Sequence, residues 1–162
     1  MATQQYVLDE SFEFLGTTDG TGLLTFYNGK IISESNPVPA HAAVVQVASA
    51  LGSTGGRCVT LVAATVATGS DSIGITQEPV TSPHQIIRVR TLGISKARCS
   101  AVAVAANDFV CAATSLGRVA KLTMAAPSTR TTTVYYVLGK ARTLSAGTID
   151  ELIEVFVNPI AI

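Results

Sequence analysis

The residues able to do chemistry in this chain of 162 are few and scattered. Two histidines, His41 and His84, each follow a proline-bearing stretch and fall in connectors. No nucleophile elbow or histidine-containing signature singles out one serine as their partner. Both read as solvent-facing loop histidines. Acidic residues gather at Asp9, Glu10 and Glu13 and again at Asp150, Glu151 and Glu154. Paired carboxylates cleave glycosides when held ~5–9 Å apart across a sugar. That chemistry calls for a cleft lined with aromatic rings, and the C-terminal half offers only Phe109, Tyr135, Tyr136 and Phe156. The second cluster is more simply the solvent face of the last strand. Cys58, Cys99 and Cys111 contain no C-x-x-C pair and form an odd set, unlike a metal site or a secreted disulfide framework. They read as small buried apolar residues. Cys99 and Cys111 could approach each other if their strands are neighbours. The loop Gly52-Ser53-Thr54-Gly55-Gly56-Arg57 lacks the Gly-Lys-Ser/Thr ending of a phosphate cradle and the spacing of a dinucleotide fingerprint. It reads as a turn between strands. No catalytic, cofactor-binding or metal-binding residue is therefore assigned, and the expectation is a protein without enzymatic turnover or cofactor.

Composition narrows the class further. Charged residues make up 14% of the chain, against about 25% in an ordinary soluble domain. With so few charges to keep its outer surface monomeric, such a chain points to burial against other subunits. Eleven basic and eleven acidic residues cancel, and the longest basic grouping is the spaced set Arg88, Arg90, Lys96 and Arg98. Nucleic-acid binding needs a net basic face to displace counterions, so no nucleic-acid partner is expected. No run of 18 apolar residues is present and no basic segment leads into an apolar one near Met1. Neither a membrane span nor a signal peptide is expected, and the chain reads as made in a reducing cytoplasm.

The elements that position these residues are strands. Residues 1–40 stand apart, with Tyr6, Phe12, Phe14, Phe26 and Tyr27 among Asp9, Glu10, Glu13, Asp19 and Glu34. Asn28-Gly29 is a strong hairpin signal, with Leu23 to Tyr27 and Lys30 to Ser33 as its strands. Asn36-Pro37-Val38-Pro39 is an extended connector. This stretch reads as an N-terminal arm or hairpin leading into a body over 41–162. His41 to Leu51 leans towards strand, and Cys58 to Val66 has the β-branched density of a buried one. Further runs follow at Ser72–Thr76, Gln85–Leu92, Ala101–Ala105, Phe109–Thr114, Val119–Met124, Thr131–Leu138 and Glu151–Val157. Strict alternation in Ile86–Arg90 and Leu152–Val157 marks half-buried strands. Regular strand spacing without helical periodicity predicts an all-β fold, a small barrel or sandwich with an N-terminal arm.

The sequence also echoes itself. Ile73-Gly74-Ile75-Thr76 precedes, across a connector, the strand Ile86–Arg90. Leu138-Gly139-Lys140-Ala141 likewise precedes Leu152–Val157. Leu92-Gly93-Ile94-Ser95-Lys96-Ala97 begins a third variant. A glycine at the same place in each unit predicts a position where a side chain would clash or φ is positive. Gly74, Gly93, Gly117 and Gly139 are thus assigned as structural glycines. The copies are too few for a solenoid and predict pseudo-repetition inside one barrel.

The stretch from Gly93 to Pro159 resembles the capsid decoration (cement) proteins of tailed bacteriophages. The resemblance rests on Leu92-Gly93-Ile94-Ser95-Lys96-Ala97, the strand Val110 to Thr114, Gly117-Arg118-Val119, the closing unit Val137 to Ala141, and a final strand ending at Val157-Asn158-Pro159. Ile73-Gly74-Ile75-Thr76 extends it upstream, while residues 1–65 lie outside the pattern. Membership implies a β-barrel or β-tulip body, self-association as a homotrimer, and attachment to the major capsid protein on the exterior of the virion. It implies no cofactor and no turnover. The separate composition of the arm, with Tyr6, Phe12, Phe14, Phe26 and Tyr27, makes it the expected capsid or inter-subunit contact. The alternative from another class is a β-barrel binding module of a phage tail or fibre. A small hydrolase is a third option, disfavoured by the missing motifs.

Overall fold

The computed structural model describes residues 6–9, 12–14, 23–28, 37–47, 58–62, 69–81, 85–124 and 134–162. Among these the chain forms strands and no α-helix. The strands are β1 (Tyr6–Asp9), β2 (Phe12–Phe14), β3 (Leu23–Asn28), β4 (Ala43–Val47), β5 (Cys58–Leu61) and β6 (Gly74–Thr76). They continue as β7 (Ile86–Arg90), β8 (Gly93–Arg98), β9 (Phe109–Thr114), β10 (Arg118–Lys121), β11 (Tyr136–Ala141) and β12 (Leu152–Ala161). β1 and β2 pair as a two-stranded ribbon. β3-β5-β4-β6-β7 close into a five-stranded barrel, and β10-β9-β11-β12-β8 form a second five-stranded sheet. The all-β expectation holds.

These two sheets are copies of one unit. β3 to β7 correspond in order to β8 to β12, and the pairings correspond residue by residue. Gly74 lies opposite Val44 as Gly139 lies opposite Val110. Val59 lies opposite Gln46 as Val119 lies opposite Ala112. Phe26 is the register partner of Ile87 as Ala97 is of Ile153. The parallel pairing of Asn28 with Val59, which closes the first barrel, recurs as a parallel bridge from Cys99 to Val119. Even the connectors repeat: the bridge Val38–Val80 returns as Val104–Ser145. The His41 N–H donates to the Thr76 carbonyl at 2.9 Å, and the Asn107 N–H to the Ala141 carbonyl at 2.7 Å. His41 and Asn107 both hold left-handed backbone, at φ 61° and 71°. The echo seen in the sequence is therefore two sheet units, each with its own interior, and not repetition inside one barrel.

The interiors repeat as well. Val38, Val44, Val59, Ile87 and Val89 fill the first unit, and Val104, Val110, Val119, Ile153 and Val155 stand at the same positions in the second. Fully buried, each such side chain stabilises the fold by about 1.5–3 kcal/mol relative to exposure. The sixth position differs. Val80 gives way to Ser145, whose hydroxyl donates to Glu151 Oε2 and accepts from the Gly147 N–H, so the buried polar atom is satisfied.

The units do not meet symmetrically. Ala43, Val62 and Ile75, on the outer side of the first unit, join the interior cluster of the second. The Arg98 N–H donates to the His41 carbonyl at 3.0 Å, and Gln77 Nε2 donates to Ser95 Oγ at 3.0 Å. The first unit thus covers the gap that β8 and β10 leave open beyond their single bridge.

Three expectations need correction. β3, assigned with the arm of residues 1–40, is a wall of the first barrel, paired to β7 and β5. Its expected partner Lys30 to Ser33 lies outside the described residues. Ala101–Ala105 is not a strand: Ala101, Val102 and Ala103 are exposed and only Val104 is buried. The strand there is Gly93–Arg98. β11 runs to Ala141, beyond the expected end at Leu138.

Candidate interaction surface

The outer face of the second unit is built by alternation. β12 buries Ile153, Val155 and Val157 and turns Leu152, Glu154 and Phe156 outward. Cross-strand register sets a row across β8, β12, β11 and β9: Ile94 beside Phe156, Phe156 beside Lys140, Lys140 beside Phe109. Ile94 is 48% exposed and Phe156 46%, large values for apolar side chains in mid-sheet. Lys140 Nζ sits 4.9 Å from the centroid of the Phe109 ring, within cation–π range. The next row pairs Lys96 with Glu154, and the Arg142 N–H donates to the Glu154 carbonyl at 2.7 Å. The face therefore combines apolar side chains with Lys96, Lys140 and Arg142 around one carboxylate.

The same row in the first unit consists of Leu23, Arg90, Ile75 and Ala43. There Ile75 and Ala43 are 0% exposed, because the second unit covers them. One copy of the row is sealed within the chain; in the other, Ile94, Phe156 and Lys140 are exposed, while Phe109 is half-buried against Cys111, Leu122 and Tyr135.

An ion network fixes the rim of this face. Asp150, in left-handed backbone at φ 65°, accepts hydrogen bonds from Arg118 Nε and Nη2 at 2.8 and 3.0 Å and pairs with Arg98 at 2.7 Å. The hydrogen bond from Arg118, followed by the charge of Arg98, holds the Asp150 carboxyl below its ordinary range. Asp108 accepts the Ala105 N–H at 2.8 Å and pairs with Lys121 at 3.1 Å, and these contacts lower its pKa in the same order. In the first unit the equivalent turn is pinned differently. Thr76 Oγ1 accepts the Ala42 N–H at 3.0 Å and donates to the Pro39 carbonyl at 2.8 Å.

The structural glycines have concrete causes. A Cβ on Gly139 would lie 2.2 Å from the Phe156 carbonyl oxygen, and one on Gly74 2.3 Å from that of Arg90. These are the same contact in the two units. Gly117 and Gly93 instead hold positive φ, at 67° and 96°.

The aromatic residues chosen from the sequence divide into two groups. Tyr6 lies in β1 and Phe12 and Phe14 in β2, with Tyr6 opposite Phe14. Phe26 and Tyr27 lie in β3, opposite Ile87 and Ile86 of the barrel, and so belong to the wall and not to the arm. His41 is not a free loop histidine. It is half-buried, its Nδ1 is buried with no hydrogen-bond partner among the described residues, and desolvation, then Lys96 and Arg98, lowers its pKa. His84 and the Gly52–Arg57 loop lie outside the described residues. Cys99 and Cys111 are free and buried, Cys99 just past β8 and Cys111 in β9, which do not pair, and burial pushes the Cys111 thiol up to about 11. Glu154 faces solvent as expected, whereas Asp150 and Glu151 are engaged by Arg118 and Ser145. Among the described residues no group of three His, Cys, Asp or Glu side chains could hold a metal ion. An open cleft of about 370 Å³ lies between Asp71, Ile73 and Thr91 on one side and Tyr136, Pro159 and Ile160 on the other. Its one lining carboxylate is that of Asp71.

The row Ile94–Phe156–Lys140–Phe109 was not singled out by sequence. Its signal was present in the alternation of Leu152–Val157, which puts Leu152, Glu154 and Phe156 on one side. No protein-family model matches the chain, and a comparison with curated proteins finds no significant match. The fold and face together define an all-β protein of two duplicated units with a mixed apolar and basic outer sheet.

Proposed function

We propose that the chain is a structural capsid decoration protein that binds the outside of a phage head and stabilises it against internal pressure. One observation carries the reading. The stretch that resembles decoration proteins, Gly93 to Pro159, coincides with one complete five-stranded unit, β8 to β12. The upstream extension, Ile73 to Thr76, falls on β6, the counterpart of β11 in the other unit. The resemblance thus follows the boundaries of a folding unit instead of crossing them.

The work of such a protein is mechanical. Many copies, each making a modest contact of ~800 Å² per partner, cross-brace shell subunits through multivalency. The partners are the major capsid protein and other copies of the chain, as a homotrimer, and no cofactor takes part. The test is co-sedimentation of the purified protein with phage shells that lack it. Saturable binding in a fixed ratio to shell subunits, with a raised shell melting temperature, is the expected result. Binding to purified tails but not to shells would replace this reading with the tail or fibre module.

A further inference from the structure

We propose that the outer face of the second unit, centred on Ile94, Phe156 and Lys140, receives the β1–β2 hairpin of a second copy of this chain. The inference deepens the self-association part of the proposed function and rests on four observations.

The duplicated row shows what this surface does elsewhere in the fold. In the first unit its counterpart, Ile75 and Ala43, is sealed by protein; in the second unit the row stands open with Ile94 and Phe156 about half exposed. An open apolar row flanked by charge marks an interaction site. The hairpin, for its part, is thinly supported. Among the described residues β1 and β2 form a sheet of their own, hydrogen-bonded to neither five-stranded unit and in contact with the first through β2 and β3, and a two-stranded ribbon is marginally stable in water.

Charge matches the two. Residues 1–22 carry Asp9, Glu10, Glu13 and Asp19 and no lysine or arginine. The receiving face carries Lys96, Lys140 and Arg142 against Glu154. Complementary charge sets orientation and speeds encounter, while aromatic residues in the hairpin supply apolar area for Phe156 and Ile94. Within one chain the hairpin lies beside β3, in the first unit, so a hairpin seated on the second unit's face comes from a neighbouring copy. Repeated around a closed ring, this head-to-tail contact gives each copy one hairpin donated and one received.

The test uses the full chain and sedimentation velocity across a concentration series. Two charge reversals are made: Asp9→Lys with Glu13→Lys on the hairpin, and Lys96→Glu with Lys140→Glu on the face. Circular dichroism and thermal melting confirm that each variant is folded. The wild type should associate, each reversal alone should weaken association at least about tenfold, and one chain carrying both reversals should recover it. Phe156→Ser, at an exposed position, should also dissociate the assembly. A wild type that stays monomeric would overturn the proposal, as would reversals that associate like the wild type or a combined variant that fails to recover. None of these readouts involves a capsid. An associating protein that ignores shells refutes decoration alone, and a shell-binding monomer refutes this contact alone.

Discussion

Adding one methyl group at Gly139 should cost the protein about as much as truncating a buried leucine to alanine. The strand β11 crosses β12 so closely there that a Cβ would sit 2.2 Å from the Phe156 oxygen and 3.0 Å from its carbonyl carbon. Ordinary carbon–oxygen contacts are ~3.3 Å or longer, so the strands must separate by about 1 Å. Both groups are backbone and no rotamer change relieves the clash. Overpacking of this kind costs ~1–3 kcal/mol, and each weakened ladder hydrogen bond adds about 1 kcal/mol. The intrinsic gain of alanine over glycine in a strand returns ~0.5–1 kcal/mol. Gly139→Ala is thus expected to lose ~2–4 kcal/mol, and Gly74→Ala, which meets the Arg90 oxygen at 2.3 Å, a similar amount. With a urea slope of ~2 kcal/mol/M, the unfolding midpoint should fall by ~1–2 M at unchanged slope. Lys140→Ala, one residue along on the open face, should move it far less. A midpoint unchanged or raised in Gly139→Ala would refute the close approach, because propensity alone predicts stabilisation.

Thr76→Val removes a fully buried hydroxyl that serves both the Ala42 N–H and the Pro39 carbonyl, and should cost ~2–3 kcal/mol by denaturant unfolding. His41 is held below its ordinary pKa of 6.5 in the fold, chiefly by desolvation. The unfolded chain therefore binds the proton first, and stability should fall as pH drops below about 6.5. His41→Asn, copying Asn107 at the equivalent left-handed turn, should flatten that slope between pH 7.5 and 5.5; an unchanged slope contradicts the assignment. Asp150 has its pKa lowered by Arg118 and Arg98, so its contribution is present at neutral pH and lost as pH falls through and below about 4. Asp150→Asn should remove that loss and cost about 1 kcal/mol at pH 7, a modest figure because the carboxylate is 38% exposed.

The fold class was legible because β-branched density and the alternation in Ile86–Arg90 and Leu152–Val157 survive intact in β7 and β12. The duplication was half legible, through its glycines. Gly74 and Gly139 mark the same strand crossing, while Gly93 serves a different purpose, a positive φ at the start of β8. β8 itself was missed because its inward residues are Ser95 and Ala97, small and partly polar, under a seam covered by Ile75 and Gln77 of the other unit. Its one large apolar side chain, Ile94, points out. Ala101–Ala105 misled for the converse reason: its side chains are apolar but small, and a solvent-facing bend tolerates them. The place of β3 in the barrel was not legible, since hydrogen bonding to β7, about sixty positions along the chain, leaves no local trace. The open face was invisible as a site because only register brings Ile94, Phe156, Lys140 and Phe109 into one row.

The most direct test of the decoration reading is the molar ratio of this chain to the major shell protein in purified virions, by quantitative mass spectrometry. A ratio near one, or a simple fraction of it, is the predicted result, since each stretch of shell surface must be braced. A ratio of a few per cent would assign the chain to a tail or a vertex, and complete absence from the particle would contradict the proposed function outright.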